Sequence, residues 1–163
     1  RIGFIRTHQH QPGCCFICAK AATPAEDLAS YVIARGQHAY MLLNAYPYAP
    51  GHLLICPYRH IASLGALTRP EREEILSLSV SGEAVLRAAM QPMGFNLGCN
   101  LGKAAGAAVA DHLHWHLVPR WVGDTNFMPI LTGHGVIPES LDATTLLLRQ
   151  TWDRLSTAGE LPS

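Results

Sequence analysis

His112-Leu113-His114-Trp115-His116-Leu117-Val118 alternates histidine with large apolar residues. Side chains two apart on a strand share a face. This spacing therefore predicts a strand with three imidazoles on one side and Leu113, Trp115 and Leu117 on the other. The apolar set can bury against a helix while the imidazoles open onto a cleft. A rise of about 3.3 Å per residue separates successive imidazoles by about 6.6 Å and the outer two by about 13 Å. Ligand atoms sit only about 2.1 Å from a zinc ion, so one ion cannot gather all three from a regular strand, although two neighbours can chelate. The residues alone leave three readings open: histidines on a half-buried strand by coincidence, a metal site, and nucleophilic catalysis. The third is chemically suited, because a neutral imidazole attacks phosphorus and departs again. It requires one ring nitrogen held as N–H and a second histidine near the leaving oxygen to supply a proton.

Upstream of this stretch, Ser30–Arg35, Ala39–Asn44 and His52–Pro57 are short β-prone runs split by Gly36–His38 and Tyr46–Gly51, which predicts an antiparallel meander. Thr68-Arg69-Pro70-Glu71 forms a capping box, and Ile75, Leu78, Gly82, Val85 and Ala89 follow at helical spacing. A long helix is expected from about Thr68 to Met90, ended by Pro92 and Gly94. Two further strands are expected at Phe95–Asn100 and His112–Pro119, joined by the loop Leu101–Asp111. A last helix is expected from Pro138 to Leu155, with Leu141, Thr145, Leu148 and Trp152 on one face. The expected fold class is α+β, an antiparallel sheet of about five strands with one long central helix and a C-terminal helix. A single domain is expected to span residues 1–163, with 1–13 a loose arm and Pro162–Ser163 a fraying end.

Composition fits a compact globule: of 163 residues, 48% are hydrophobic and 15% charged. Lys+Arg and Asp+Glu are each 12, so no basic field favours nucleic acid or an anionic membrane, and any phosphate must be bound by a local site. No run approaches the roughly 18 apolar residues of a membrane span. Arg1 and Arg6 precede no apolar run, so no signal peptide is expected, and because the chain opens on Arg1 its natural start is expected upstream. The five cysteines, Cys14, Cys15, Cys18, Cys56 and Cys99, show no disulfide rhythm. They suggest a reducing cytoplasm with some thiols on a metal. Cys15-Phe16-Ile17-Cys18 is a C-x-x-C, which alone fits a metal pair, a redox pair or coincidence.

The histidine stretch resembles the signature of the histidine-triad (HIT) family. Flanking segments resemble it too: Gly94-Phe95-Asn96-Leu97-Gly98-Cys99-Asn100-Leu101-Gly102, Ala105-Gly106 and Val118-Pro119-Arg120-Trp121. Within the family the likeness is to the bacterial diadenosine tetraphosphate phosphorylase-type branch, which also continues with a segment like Gly123 to Phe127. It covers about Cys15 to Trp152. The resemblance implies that His114 is the nucleophile, its Nδ1 bonded to the carbonyl of His112, and that His116 hydrogen-bonds the phosphate or leaving group. It implies Asn100 on the α-phosphate, Asn44 on the ribose hydroxyls, and backbone amides near Gly106 around the phosphates. Many members carry Gln and then Ser or Thr after that glycine. Here Ala107-Ala108-Val109 stand instead, and Asp111 looks like an insertion, so the phosphate is expected to lean on backbone amides, Lys103 or Arg120. The resemblance further implies one structural zinc on Cys15, Cys18, His60 and His112, a Cys₂His₂ site closed to water. It also implies a homodimer or higher oligomer joined near the long helix.

The expected activity is phosphorolysis or hydrolysis of a dinucleoside polyphosphate through a nucleotidyl-histidine. A nucleoside phosphoramidate hydrolase, and a nucleotide-binding or zinc-stabilised interaction protein with little turnover, are the competing readings. His116 argues against a sugar-nucleotide uridylyl transferase, a group that usually has Gln at that position. His8, His10, His38 and His134 are read as solvated, His52 as the start of a strand, and Trp115, Cys56 and Cys99 as core. Trp121 either stacks on a second base or packs.

Overall fold

The computed structural model describes residues 15–124 and 140–161. The expected arm 1–13, Cys14, His134, Pro138 and the stretch Thr125 to Phe127 lie outside the described residues. The three-strand meander is present as β1 (Val32–Arg35), β2 (Ala39–Leu43) and β3 (Leu53–Pro57), followed by β4 (Gly94–Cys99) and β5 (Trp115–Arg120). The sheet runs β1-β2-β3-β5-β4 and every neighbouring pair is antiparallel. Strand β5 therefore lies in the interior of the sheet and β4 at its edge.

Two long helices cover one face. Helix α2 (Arg69–Met90) begins at the expected capping box: Thr68 accepts from the Glu71 backbone N–H, and the Glu71 side chain accepts from that of Thr68. Its buried residues Ile75, Leu78, Val85 and Leu86 pack with Met41, Leu43, Leu53, Ile55, Leu113 and Leu117. Gly82 sets the approach: a Cβ there would lie 2.9 Å from Met41 Sδ and 3.1 Å from Leu117 Cδ2. Helix α3 (Leu141–Thr157), capped by Ser140, adds Leu148 and Leu155 to the same core. The opposite face carries a second core of Ile17, Val32, Tyr40, Leu42, Leu54, Cys56 and Val109.

Two findings depart from the sequence reading. A helix bearing the C-x-x-C, α1 (Phe16–Ala22), was not expected. It is seven residues long with only Ile17 buried, too short to show a period, and it is held by distant partners. The Tyr40 hydroxyl donates to the Ile17 carbonyl at 2.6 Å, and Arg35 donates to the carbonyls of Lys20 and Ala21 while clamping Asp27. Second, β5 starts at Trp115 rather than His112. Its ladder with β3 ends at Ile55↔Trp115, and beyond it the Leu113 N–H turns to the Ile61 carbonyl at 2.7 Å. The alternation of faces nevertheless continues: Leu113 and Leu117 lie in the helix-covered core, while His112 faces Cys15 and Cys18 and His116 pairs Leu54 of the second core.

Helix α2 also anchors two loops. The Glu74 carboxylate accepts the backbone N–H groups of Gln37, His38 and Ala39, pinning the β1–β2 turn. Buried Glu71 binds Arg59 at 2.6 and 2.7 Å, next to His60. Chiefly because of Arg59, and against the opposing effect of burial, Glu71 is held below its ordinary 4.5 at about 2. A carboxylate whose pKa falls on folding contributes stability above its unfolded pKa and loses it as pH drops through the folded one. Glu71→Gln should therefore cost about 1–3 kcal/mol at neutral pH. In thermal melts its gap from wild type should close as pH falls from about 4.5 toward about 2. A gap independent of pH would refute this role for the ion pair.

Candidate functional site

On the face away from α2 and α3, the histidines fall into two adjoining groups that meet at His112 and His114. The first is built from α1, the end of β3 and the approach to β5. Cys15 Sγ lies 3.4 Å from His112 Nδ1, Cys18 Sγ 3.4 Å from the same nitrogen, and Cys18 Sγ 3.3 Å from His60 Nδ1. All four ligand atoms lie within 4.8 Å of one another. Ligands about 2.0–2.3 Å from a tetrahedral ion stand about 3.5 Å apart, so the group has the size and the donor set of a Cys₂His₂ site. His112 Nε2 is 2.9 Å from the carbonyl of Pro57, a bond in which only the ring can donate. That leaves Nδ1, the nitrogen facing the two sulfurs, bare for a metal. Burial first, and then Cys15, raise the Cys18 pKa, so a Cys18 thiolate calls for a cation beside it.

The second group runs from His114 to the β2–β3 hairpin. His114 is buried, and its Nδ1 lies 2.9 Å from the main-chain oxygen of His112. The carbonyl can only accept, so Nδ1 carries the proton and Nε2 the lone pair. Burial lowers the His114 pKa against the opposing pull of that bond, which keeps the ring neutral near pH 7. The rings of His114 and His116 meet edge to face with centroids 5.0 Å apart.

The other expected contacts divide. Asn100 follows β4 directly, and since Cys99 pairs Trp115 the register carries it to the level of His114. Gly106 sits at φ +86° after a 3-10 turn, Lys103–Ala105, and both Gly106 and Lys103 are exposed on that loop. Asn44 is drawn into the hairpin: its Oδ1 accepts from the Tyr46 backbone N–H and its Nδ2 reaches His52 Nδ1. Arg120 is engaged by Asp124 at 2.6 and 2.7 Å and by Asn96 at 2.8 Å.

One site residue was missed. His52, read from sequence as no more than a strand start, is fully buried with its Nε2 2.9 Å from His116 Nδ1. Leu54 pairs His116, so His52, two residues before Leu54, is on the same sheet face and diagonal to His116. Gly51 places it there. A Cβ on Gly51 would lie 2.7 Å from Met90 Sδ and 2.9 Å from Leu86 Cδ2, and its φ is +76°. Pro50-Gly51 ahead of a polar strand residue was the available signal, but its meaning depends on the β3–β5 register.

The HIT domain model matches residues 26–122. The AP-4-A phosphorylase of Mycobacterium tuberculosis is 46% identical over 123 residues, which are 76% of this chain and 63% of that protein. The chain thus spans less than two thirds of that relative. The bis(5'-adenosyl)-triphosphatase of Saccharomyces cerevisiae is 32% identical over 98 residues, 57% of this chain and 47% of its own. Among solved structures, a zinc-bound histidine triad family protein from Mycobacterium smegmatis superposes with a TM-score of 0.70 at 23% identity, covering 88% of this chain and 96% of that one. A hypothetical histidine triad nucleotide-binding protein from Sulfolobus tokodaii gives 0.64 at 21%, over 90% and 97%. At those identities the likeness is one of fold. The domain match over more than half of its length settles the assignment: the chain belongs to the histidine-triad family.

Proposed function

We propose that this protein transfers a nucleotidyl group from a dinucleoside polyphosphate through a covalent intermediate on His114. The observation that carries the proposal is the 2.9 Å bond from His114 Nδ1 to the His112 carbonyl, which commits Nε2 of a neutral, buried ring to act as the lone pair. In the first half-reaction Nε2 forms a P–N bond to the α-phosphorus. The bridging P–O bond breaks, and its electron pair leaves with the polyphosphate. In the second half, an oxygen of water or phosphate attacks the same phosphorus, the P–N bond breaks and its pair returns to Nε2, and water, where it is the acceptor, releases a proton to solvent. His116 hydrogen-bonds the phosphate or leaving oxygen, and Asn100 and the amides around Gly106 hold the α-phosphate. Lys103 and Arg120 remain the cations assigned to the phosphates, and Asn44 the side chain assigned to the ribose. The names of two relatives, a phosphorylase and a triphosphatase of diadenosine compounds, support this substrate class.

We assign the Cys15, Cys18, His60 and His112 group to a structural zinc. Four protein ligands close the tetrahedron and leave no place for water, so the metal would pin α1 to the sheet rather than touch substrate. A homodimer joined along α2 and the edge strand β4 accounts for the exposure of Leu76, Val80 and Leu97. A monomer in light scattering would contradict it. Among the described residues no helix is long and apolar enough to cross a membrane, and the free cysteines fit a cytoplasmic setting.

Diadenosine tetraphosphate incubated with the protein should give ATP with AMP in water, or ATP with ADP when inorganic phosphate is present. His114→Ala should lower turnover at least about 10³-fold with the fold intact, and His116→Ala by about 10²–10³-fold. Near-normal turnover of His114→Ala would refute the mechanism. Cleavage of a nucleoside phosphoramidate alone would favour that hydrolase, and no cleavage of either an interaction protein. Elemental analysis should find one zinc per chain. Cys18→Ser should lower thermal stability far more than the turnover of molecules that stay folded, and metal-free wild type would remove the assignment.

A further inference from the structure

His116 lies between two strands on the site face of the sheet, and its two flanks are built differently. The β3 flank is taken by protein: His52 is fully buried there, and the Tyr48 ring stacks on His116 with centroids 5.7 Å apart. On the β4 flank, the residue across the ladder from His116 is Gly98, which is exposed. Residues paired across an antiparallel ladder share a face, so a side chain at position 98 would stand beside the His116 ring. Neither conformation nor packing calls for its omission. The φ of Gly98 is not positive, and among the described residues no atom lies within 4 Å of the place its Cβ would take. Gly51 and Gly82 differ, since a Cβ at either would strike a neighbouring side chain at under 3.0 Å. A glycine inside a strand weakens it, and one the fold does not use marks a place where something from outside comes close to the backbone. Edge pairing of β4 with a second copy does not account for it. Such pairing adds backbone in the plane of the sheet, whereas the omitted side chain would point out of that plane. Two residues along β4 on the same face, and about 6.6 Å farther, Asn96 Oδ1 accepts from Arg120 Nη1 at 2.8 Å. The open lane beside His116 therefore leads across Gly98 toward a cation.

We infer that Gly98 is a specificity-determining residue: it keeps open the lane through which the leaving half of the substrate, a polyphosphate bearing the second nucleoside, runs from His116 over β4 toward Arg120. The inference rests on the nucleotidyl transfer proposed above, in which His116 bonds the leaving oxygen. Whatever lies beyond that oxygen has to pass one flank of His116. Asn44, assigned to the ribose of the retained half, bonds His52 on the β3 flank, so the retained nucleoside is on that side as well. The β4 flank is left for the departing half. Its anionic phosphates suit a lane with no apolar shoulder at position 98 and a guanidinium farther along.

AMP fills only the retained half, whereas diadenosine tetraphosphate with methylene groups in place of its bridging oxygens fills both and resists cleavage. Calorimetry with each ligand separates the halves. Wild type should bind the analogue more tightly than AMP. Gly98→Val places a strand-forming side chain in open space, so it should melt no lower than wild type and keep its mass in light scattering. It should bind AMP as wild type does and lose affinity for the analogue on the order of tenfold or more. KM for diadenosine tetraphosphate should rise in step, and Gly98→Ala should fall between the two. Equal weakening of both ligands, or of neither, would overturn the inference while leaving nucleotidyl transfer standing. A changed mass in light scattering would overturn it as well, by giving the gap at Gly98 to a second copy. The expected binding pattern in a wild type that cleaves no dinucleotide would instead refute the proposed function and leave Gly98 as a determinant of binding.

Discussion

The site depends on His112, which serves four neighbours through three groups at once. Its Nε2–H is spent on the Pro57 carbonyl, its Nδ1 faces the two thiols, and its main-chain oxygen takes the Nδ1 proton of His114. Each bond has one allowed direction, because a carbonyl only accepts, so both imidazoles are forced into single tautomers. A histidine in free exchange would offer the wrong nitrogen part of the time. Here the segment that a Cys₂His₂ site would hold rigid is also the segment that presents the acceptor for His114. The Cys/His cluster and the proposed nucleophile therefore share one piece of backbone.

That backbone has a particular local form. His112 and His114 precede the β3–β5 ladder, and the Leu113 N–H bonds to Ile61. With neither residue in the ladder, the carbonyl of His112 can turn to a side chain two residues on. The sheet supplies rigidity from the next residue, Trp115, and His116 lies inside the ladder. Beyond it the hairpin imposes its own constraint through Asn44, Tyr48 and His52. Two loops, one on each side of the triad, thus orient the rings while the strands space them.

How much of this could be read in the sequence follows from how local each signal is. The capping box at Thr68, the helical spacing up to Met90, the meander and the alternation from His112 to Val118 all act over a few residues, and all are found. Cys15, Cys18, His60 and His112 were nameable only through likeness to a family, since no spacing rule spans three separate elements. Helix α1 was not legible because Tyr40 and Arg35, both remote in sequence, hold it. His52 was passed over for a related reason: what makes it matter is a diagonal neighbour across a strand pair that the sequence does not specify. The start of β5 at Trp115 is not legible, because periodicity cannot tell a strand from an extended segment bonded elsewhere.

The proposed mechanism requires that His114 Nε2 become covalently attached to phosphorus. Rapid quenching of the protein with diadenosine tetraphosphate, followed by mass spectrometry under conditions that preserve P–N bonds, tests it most directly. One adenylyl group is expected, on His114, formed and lost fast enough to support turnover and absent from His114→Ala. Turnover without any adduct, or an adduct on His116 or His52, would contradict it.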